Sequence, residues 1–389
     1  MAATFAAHAL MLGTLGPWMP QLKGRSGLDA GQLGAALAGM AVGMVLGTRL
    51  AGPAVRRVGG RAAVRVGVPV LAAGLALLPL ARGLATLAAI FSLLGVAGGL
   101  LDVAMNGEAA EVERRHERRL MSTMHGTWSV SVLAGAGLAS ISISIGVPIA
   151  AHLPLLAALL VAASAVPLRW LPSPGAGQPG ETAPAPAERG AAVGRAALLC
   201  VICGACFLTE GAATEWGAVY MRESVRSGAG IAGAAVVTFA GGMAASRFAG
   251  DRLAGRFEAA TIARVGAGAG ALALAVGLAL GGVAASLAGF ALLGVGIGQV
   301  VPLAFRAAGG IALGPARTAL GIAVTCGYVG TIVGPLLVGL VADRVGLRAA
   351  FVIPVLTCST AAIAAGALRE PRAAPVTTRP TVEAAPPPR

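Results

Sequence analysis

Apolar windows, each closed by charge or by Gly and Pro, follow one another along nearly the whole chain. A hydrocarbon core about 30 Å thick takes about 20 helical residues to cross, which is the length of these windows. The pattern predicts twelve membrane helices. Six lie near residues 3–22, 31–54, 62–81, 84–106, 121–144 and 147–168, and six near 196–220, 229–250, 259–281, 283–305, 318–341 and 347–368. Between the two sets, Pro172, Pro174, Pro179, Pro184 and Pro186 stand among Gly, Ala and Glu, a composition that cannot bury a core. The expected organisation is therefore an N-terminal six-helix bundle over 1–168, a linker over 169–194, a second bundle over 195–370 and a Pro-rich tail over 371–389.

Short strings recur about half a chain apart. Trp18 is answered by Trp216, Arg49-Leu50-Ala51-Gly52 by Arg247-Phe248-Ala249-Gly250, and Leu93-Leu94-Gly95-Val96 by Leu292-Leu293-Gly294-Val295, at offsets of 198, 198 and 199. A weaker pair, His125-Gly126 and Cys326-Gly327, sits at 201. Repetition inside apolar segments predicts an all-α membrane protein of two pseudo-symmetric bundles, a plan common among secondary transporters.

Composition narrows the reading. With 57% hydrophobic residues, mean hydropathy +0.82 and 12% charged residues, the chain has too much apolar surface for a water-soluble core, so lipid must cover it. The 58 glycines would be costly in soluble helices, but in lipid small residues let backbones approach closely. The net charge of +13 is scattered between apolar runs rather than gathered on one face, which argues against nucleic acid as a partner.

The basic residues divide unequally between the two ends of the bundle. The side holding both termini collects 22 Arg, whereas the other collects 7: Lys23, Arg25, Arg82, Arg222, Arg226, Arg344 and Arg348. Both termini and the linker are accordingly expected in the cytoplasm, with the chain spanning a bacterial inner membrane. Cys200, Cys203, Cys206, Cys326 and Cys358 fall inside apolar segments and read as packing residues rather than a disulfide framework or a metal site. No cofactor is expected.

Six-plus-six spans with a cytoplasmic linker, and a basic Gly-containing loop after the second span of each half, resemble the major facilitator superfamily. Its signature loop reads G-x-x-x-D-R-x-G-R-R/K. The first copy here is Gly52-x-x-x-Arg56-Arg57-x-Gly59-Gly60-Arg61, with arginine in the aspartate position; the second keeps Asp251-Arg252 but continues out of step to Gly255-Arg256. The strings Leu101-Asp102-Val103-Ala104-Met105-Asn106, Glu111-Val112-Glu113-Arg114-Arg115, Met121-Ser122 with His125, and Glu210-Gly211-Ala212 before Glu215-Trp216-Gly217 are similar to an uncharacterised bacterial branch distantly resembling fucose-type sugar permeases.

In that superfamily the signature aspartate helps to lock the cytoplasmic gate, paired with a basic residue and a helix N-terminus. Arg56 cannot serve as that anion. Either the lock is weakened in the first half, leaving Asp251 as the candidate in the second, or Arg56, Arg57, Arg61 and Arg65 only set topology.

Ionisable groups inside spans cost several kcal/mol unless they face a cavity or a partner, so each is a candidate site. Glu210 and Glu215 fall in the seventh span and Asp102 in the fourth, and these are the proton-coupling candidates. On a regular helix Glu210 and Glu215 lie about 140° apart, so only one faces a given pathway, and Glu210 is the deeper. The family resemblance implies a cavity lined by the first, fourth, seventh and tenth spans. That makes Trp18, Asn106, Trp216 and Gln299 solute-binding candidates, and His125 at the start of the fifth span joins them. Trp18 and Trp216 read more readily as interfacial anchors and His125 as a packing residue, whereas Asp102 reads equally as a helix-end cap or a partner of Arg49 or Arg57. Gly16-Pro17, Pro302 and Gly334-Pro335 are candidate helix breaks, and Gly327, Gly330, Gly334 and Gly339 form a small-residue face.

Expected, then, is a monomeric, proton-coupled carrier of a small polar solute working by alternating access, with import favoured slightly over efflux of drugs or metabolites. The rival from another class is a non-transporting sensor with the same fold. An enzyme is disfavoured, since no Ser/Lys, paired-Asp or His-Glu-x-x-His arrangement appears, and no G-x-x-x-x-G-K-[ST] loop offers ATP coupling. Arg56→Asp separates the two readings of the first basic loop: a weakened lock predicts altered gate accessibility, and unchanged accessibility leaves the arginines with topology alone.

Overall fold

A computed structural model describes residues 1–116, 121–169, 189–314 and 317–369. The first crossing is divided into α1 (Ala2–Gly13) and α2 (Leu15–Arg25). There follow α3 (Ala30–Val58), α4 (Gly60–Leu77) with a 3-10 turn to Leu80, α5 (Gly83–His116), α6 (Met121–Ser144) and α7 (Ile149–Arg169). In the second half, α8 (Arg189–Gly211) runs through a π-helical turn (Ala212–Trp216) into α9 (Gly217–Glu223). Then come α10 (Ala229–Ala254), α11 (Ala259–Leu280), α12 (Val283–Ile297), α13 (Val300–Gly309) and α14 (Ala319–Val345). Last are α15 (Leu347–Ala350), α16 (Val352–Ala364) and a 3-10 turn to Leu368.

Ten of these segments are long and apolar enough to cross a membrane, and the divided Ala2–Arg25 helix and the shorter apolar Ile149–Ala165 stretch complete the twelve crossings. Three departures from expectation have local causes. α5 continues ten residues past Asn106, because Glu, Ala and Arg favour helix although they end the apolar window. α8 begins at Arg189, so residues 189–194 are helix rather than linker; the rest of the linker from 170, and the tail from 370, lie outside the described residues. A short antiparallel hairpin, β1 (Ala312–Gly314) and β2 (Arg317–Thr318), precedes α14 where a plain loop was expected.

Two helix breaks lie four residues before a proline. A proline ring collides with the carbonyl four residues earlier. Pro17 and Pro302 point in this way to Gly13 and Gly298, and the chain divides there: α1 ends at Gly13 and α12 at Ile297. Pro20, Pro53, Pro69 and Pro335 lie inside unbroken helices.

The repeated strings pack alike in both halves. A methyl on Gly95 would collide with the Met40 carbonyl of α3, and a methyl on Gly294 with the Phe239 carbonyl of α10. Gly43 against Ser92 and Gly242 against Ala291 repeat the match on the opposing helices. The small-residue face of α14 is used as expected, in two directions. Gly327, Gly330 and Gly334 seat Phe207, Gly204 and Leu208 of α8, whereas Gly339 crosses to Ala30 and Gly34 of α3.

The halves meet chiefly through α3 with α14 and α6 with α10, and α2 adds contacts to the π turn, α9 and α10. Gly16 lies so close to the Thr214 carbonyl that no side chain would fit, and these two residues are themselves 198 apart. The pseudo-two-fold axis therefore passes near this contact.

Gly95→Ala and Gly294→Ala each force a methyl against a neighbouring backbone, at an expected cost of about 1–3 kcal/mol. Thermal unfolding in detergent should show both variants destabilised, while Gly107→Ala, which meets nothing within 4 Å, should not be.

Candidate functional site

The bundle has two ends. One, here the terminal face, carries the start of α1 and the end of α16; the far face carries the turns after Arg25, Leu80, Ser144, Glu223, Leu280 and Val345. Acidic residues at membrane depth lie between the two.

Asp102 on α5 is half-buried, and Asn106 one turn on donates through Nδ2 to its backbone oxygen at 2.8 Å and to its Oδ1 at 3.2 Å. The expected shared face is thus present. Among the described residues no ion pair reaches Asp102, so the alternative pairing with Arg49 or Arg57 is not made. Tyr328 of α14, in the other half, lies within electrostatic reach of Asp102. It was not singled out from sequence, because a tyrosine in an apolar run gives no signal of what it faces.

The seventh crossing corrects the helical-wheel argument. Glu215 lies inside the π turn, where hydrogen bonds run to the fifth residue, so the 140° separation from Glu210 does not hold. Glu210 is half-buried. Glu215 is 9% exposed, and among the described residues its Oε2 has no hydrogen-bond partner. The Thr214 hydroxyl turns back to the Glu210 carbonyl at 2.8 Å. Nothing in Ala-Ala-Thr-Glu-Trp announces a π turn, and π turns are frequent at functional sites.

Trp18 and Trp216 are both 0% exposed, so neither is an interfacial anchor, and each indole N–H lacks a partner. Trp18 lies tilted on His152, with centroids 5.5 Å apart. His152 is fully engaged, between Ser142 Oγ at 2.8 Å and Thr14 Oγ1 at 3.0 Å. Thr14 is the residue at the break between α1 and α2, so His152 ties the broken crossing to α6 and α7. His125 is exposed and stands edge-on to Phe5, with centroids 5.7 Å apart. Gln299 at the second break donates to the Ser246 carbonyl at 2.6 Å, so its amide is occupied within its own half.

The basic loop at the terminal face also differs from its expected chemistry. Arg56 and Arg57 are exposed at the end of α3, and Arg252 is exposed near the end of α10; the Asp251 side chain lies outside the described residues. Arg61 is within electrostatic reach of Glu108 of α5, whose carboxylate is pressed against Gly60. Glu108 is 8% exposed and brings an anion to this loop from within the same half.

At the far face lies an arrangement that sequence reasoning missed although it was spelled out. Gly339-x-x-x-Asp343-Arg344-x-Gly346-x-Arg348 reproduces most of the superfamily's signature, after the eleventh crossing rather than the second. Asp343 Oδ1 accepts from Ala30 N–H at 2.9 Å and Oδ2 from Gly31 N–H at 2.8 Å, at the N-terminus of α3 in the other half. Lys23 donates to both Glu223 carboxylate oxygens, at 2.6 and 2.8 Å, across the same seam.

Two pseudo-symmetric six-helix bundles, broken helices in the first and tenth crossings, and sparse acids at membrane depth define a multi-pass transporter fold. The Major Facilitator Superfamily model matches residues 1–316, and the chain belongs to that superfamily. It is 31% identical over 368 residues to an uncharacterised MFS-type transporter of Yersinia pestis, covering 94% of each chain. It is 30% identical over 379 residues to an uncharacterised transporter of Sinorhizobium fredii, covering 95% of this chain and 97% of that one. The membrane protein MosC of Rhizobium meliloti is 28% identical over 364 residues, covering 91% and 86%. Among solved structures, a D323A mutant of the nucleoside transporter NupG superposes with TM-score 0.72 at 12% identity, covering 95% of this chain and 98% of that one. That likeness extends to the fold.

His152→Ala leaves the buried Thr14 hydroxyl and the half-buried Ser142 hydroxyl short of a partner at the first helix break. A loss of about 1–3 kcal/mol is expected, read as a lowered unfolding temperature in detergent.

Proposed function

We propose that this chain is a proton-coupled secondary transporter of a small polar solute, in a bacterial inner membrane with both termini cytoplasmic. Glu215 carries the proton, in preference to Glu210 and Asp102. The observation that supports Glu215 most is its burial with an oxygen that nothing satisfies, inside a π turn. An ionised carboxylate left unpaired in so apolar a place costs several kcal/mol, so neutralisation by a proton accompanies this closed arrangement of the seam. The π turn also lies where the halves touch, at Gly16 and Thr214, so a change at Glu215 is felt by both bundles at once.

Asp102 with Asn106, and Tyr328 across from them, form a second polar group nearer the terminal face, with the donors and acceptors that a hydroxylated solute needs. Glu210, on the seventh crossing with Glu215, is a further candidate contact. Import remains the favoured direction, on the distant likeness to sugar permeases.

Reconstitution in liposomes with a pH-sensitive dye tests the reading. Solute gradients should drive proton movement, and Glu215→Gln should abolish that movement by at least about tenfold, while exchange of labelled for unlabelled solute persists. Glu210→Gln should retain coupling. Intact coupling in Glu215→Gln would overturn the assignment.

A further inference from the structure

We infer that the far-face seam is an electrostatic lock, built from Asp343 on the α3 N-terminus and from the Lys23–Glu223 pair, that sets the resting conformation with the far face closed. The inference assumes the transporter reading but not the choice of proton carrier.

Each fixed position of the Gly339–Arg348 string has a task in the geometry. Gly339 admits the α3 backbone at Ala30 and Gly34, where a side chain would hold the helices apart. Asp343 then reaches the first turn of α3, whose N–H groups have no partners within the helix and carry the positive end of its dipole. Asp29 of the same turn takes only the Gln32 N–H, at 2.7 Å, and leaves Ala30 and Gly31 to the incoming carboxylate. Gly31 is required as well, because a methyl there would collide with Asp343 Oδ2. Behind Asp343, Gly346 turns the chain at φ +84°, a left-handed conformation that costs glycine little. Arg348 Nε then donates to the Leu278 carbonyl at 2.7 Å and fixes the loop on the end of α11. Arg344 bonds weakly along its own helix, to the Leu340 carbonyl at 3.4 Å, and the carboxylate stays directed at α3.

The lock departs from the pseudo-symmetry of the bundle. Its pseudo-symmetric counterpart, where α6 meets α10, brings Ser144 rather than an acid against Gly230, and the Ser144 hydroxyl is donated to the Ser140 carbonyl at 2.8 Å. At the terminal face the loop that the superfamily uses for such a lock has Arg56 in the acidic position. At the far face, then, an acid is spent on the α3 N-terminus where the pseudo-symmetric contact has a serine.

Lys23 is the only lysine, lies in the seam, and is 13% exposed at its side chain. Detergent-solubilised protein is treated with a water-soluble amine-reactive ester, and acylation of Lys23 is followed by mass spectrometry as the modified fraction of the Lys23 peptide. Wild type should label slowly at Lys23. Asp343→Ala and Gly31→Ala should each raise the Lys23 rate about three- to tenfold, with Asp343→Asn between. If Asp343→Ala fails to fold, Gly31→Ala breaks the same contact from the other half. Gly294→Ala, which loosens α10 against α12 away from the seam, should leave the rate unchanged. An unchanged Lys23 rate in the folded Asp343 and Gly31 variants, or an equal rise in Gly294→Ala, overturns the lock. No proton gradient enters the measurement, so its failure is distinct from failure of the Glu215 assignment.

Discussion

In hydrocarbon an apolar side chain gains nothing by leaving lipid for a neighbouring helix, so a bundle of this composition holds together through close approach of backbones. Glycine permits that approach at the same positions in both halves, with Gly95 on Met40 matched by Gly294 on Phe239. What the duplication preserved is a set of places where a side chain cannot fit. The other features depend on this frame: the broken crossings, the buried acids and the seam are tolerable only because rigid neighbours surround them.

The polar interior is spent unevenly on that frame. His152, Thr14 and Gln299 are all hydrogen-bonded beside helix breaks, where proline has freed backbone groups. Glu215 lies inside an irregular turn without a proline, and among the described residues its Oε2 is left unsatisfied. The polar residues that mend the helix breaks thus differ from Glu215 in their partners rather than in their depth.

Much of this was legible in the sequence. Twelve apolar windows announced twelve crossings because span length is imposed by lipid thickness, and the repeated strings announced the symmetric packing. The break in the first crossing was assigned to Gly16-Pro17 but lies at Thr14, since proline acts on the carbonyl four residues back. The π turn was illegible: its five residues are ordinary, and the extra residue per turn comes from the packing around it. Regular-helix geometry therefore misjudged the relation of Glu210 to Glu215. Burial of Trp18 and Trp216 was hidden for a related reason, because hydropathy cannot tell a protein-facing indole from a lipid-facing one. Asp343 was missed although its string was in plain view, since the family likeness directed attention to the loops after the second and eighth crossings.

A lock at the far face of the seam would also make the two sides of the membrane unequal as sources of solute. A carrier that rests with its far face shut presents its site to the terminal side at nearly full occupancy of the competent form, and to the far side in only a small fraction of molecules. Apparent affinity falls by that fraction. The same intrinsic site would therefore read as tight from one compartment and loose from the other, an asymmetry set by Asp343 and the α3 N-terminus rather than by any residue that touches the solute.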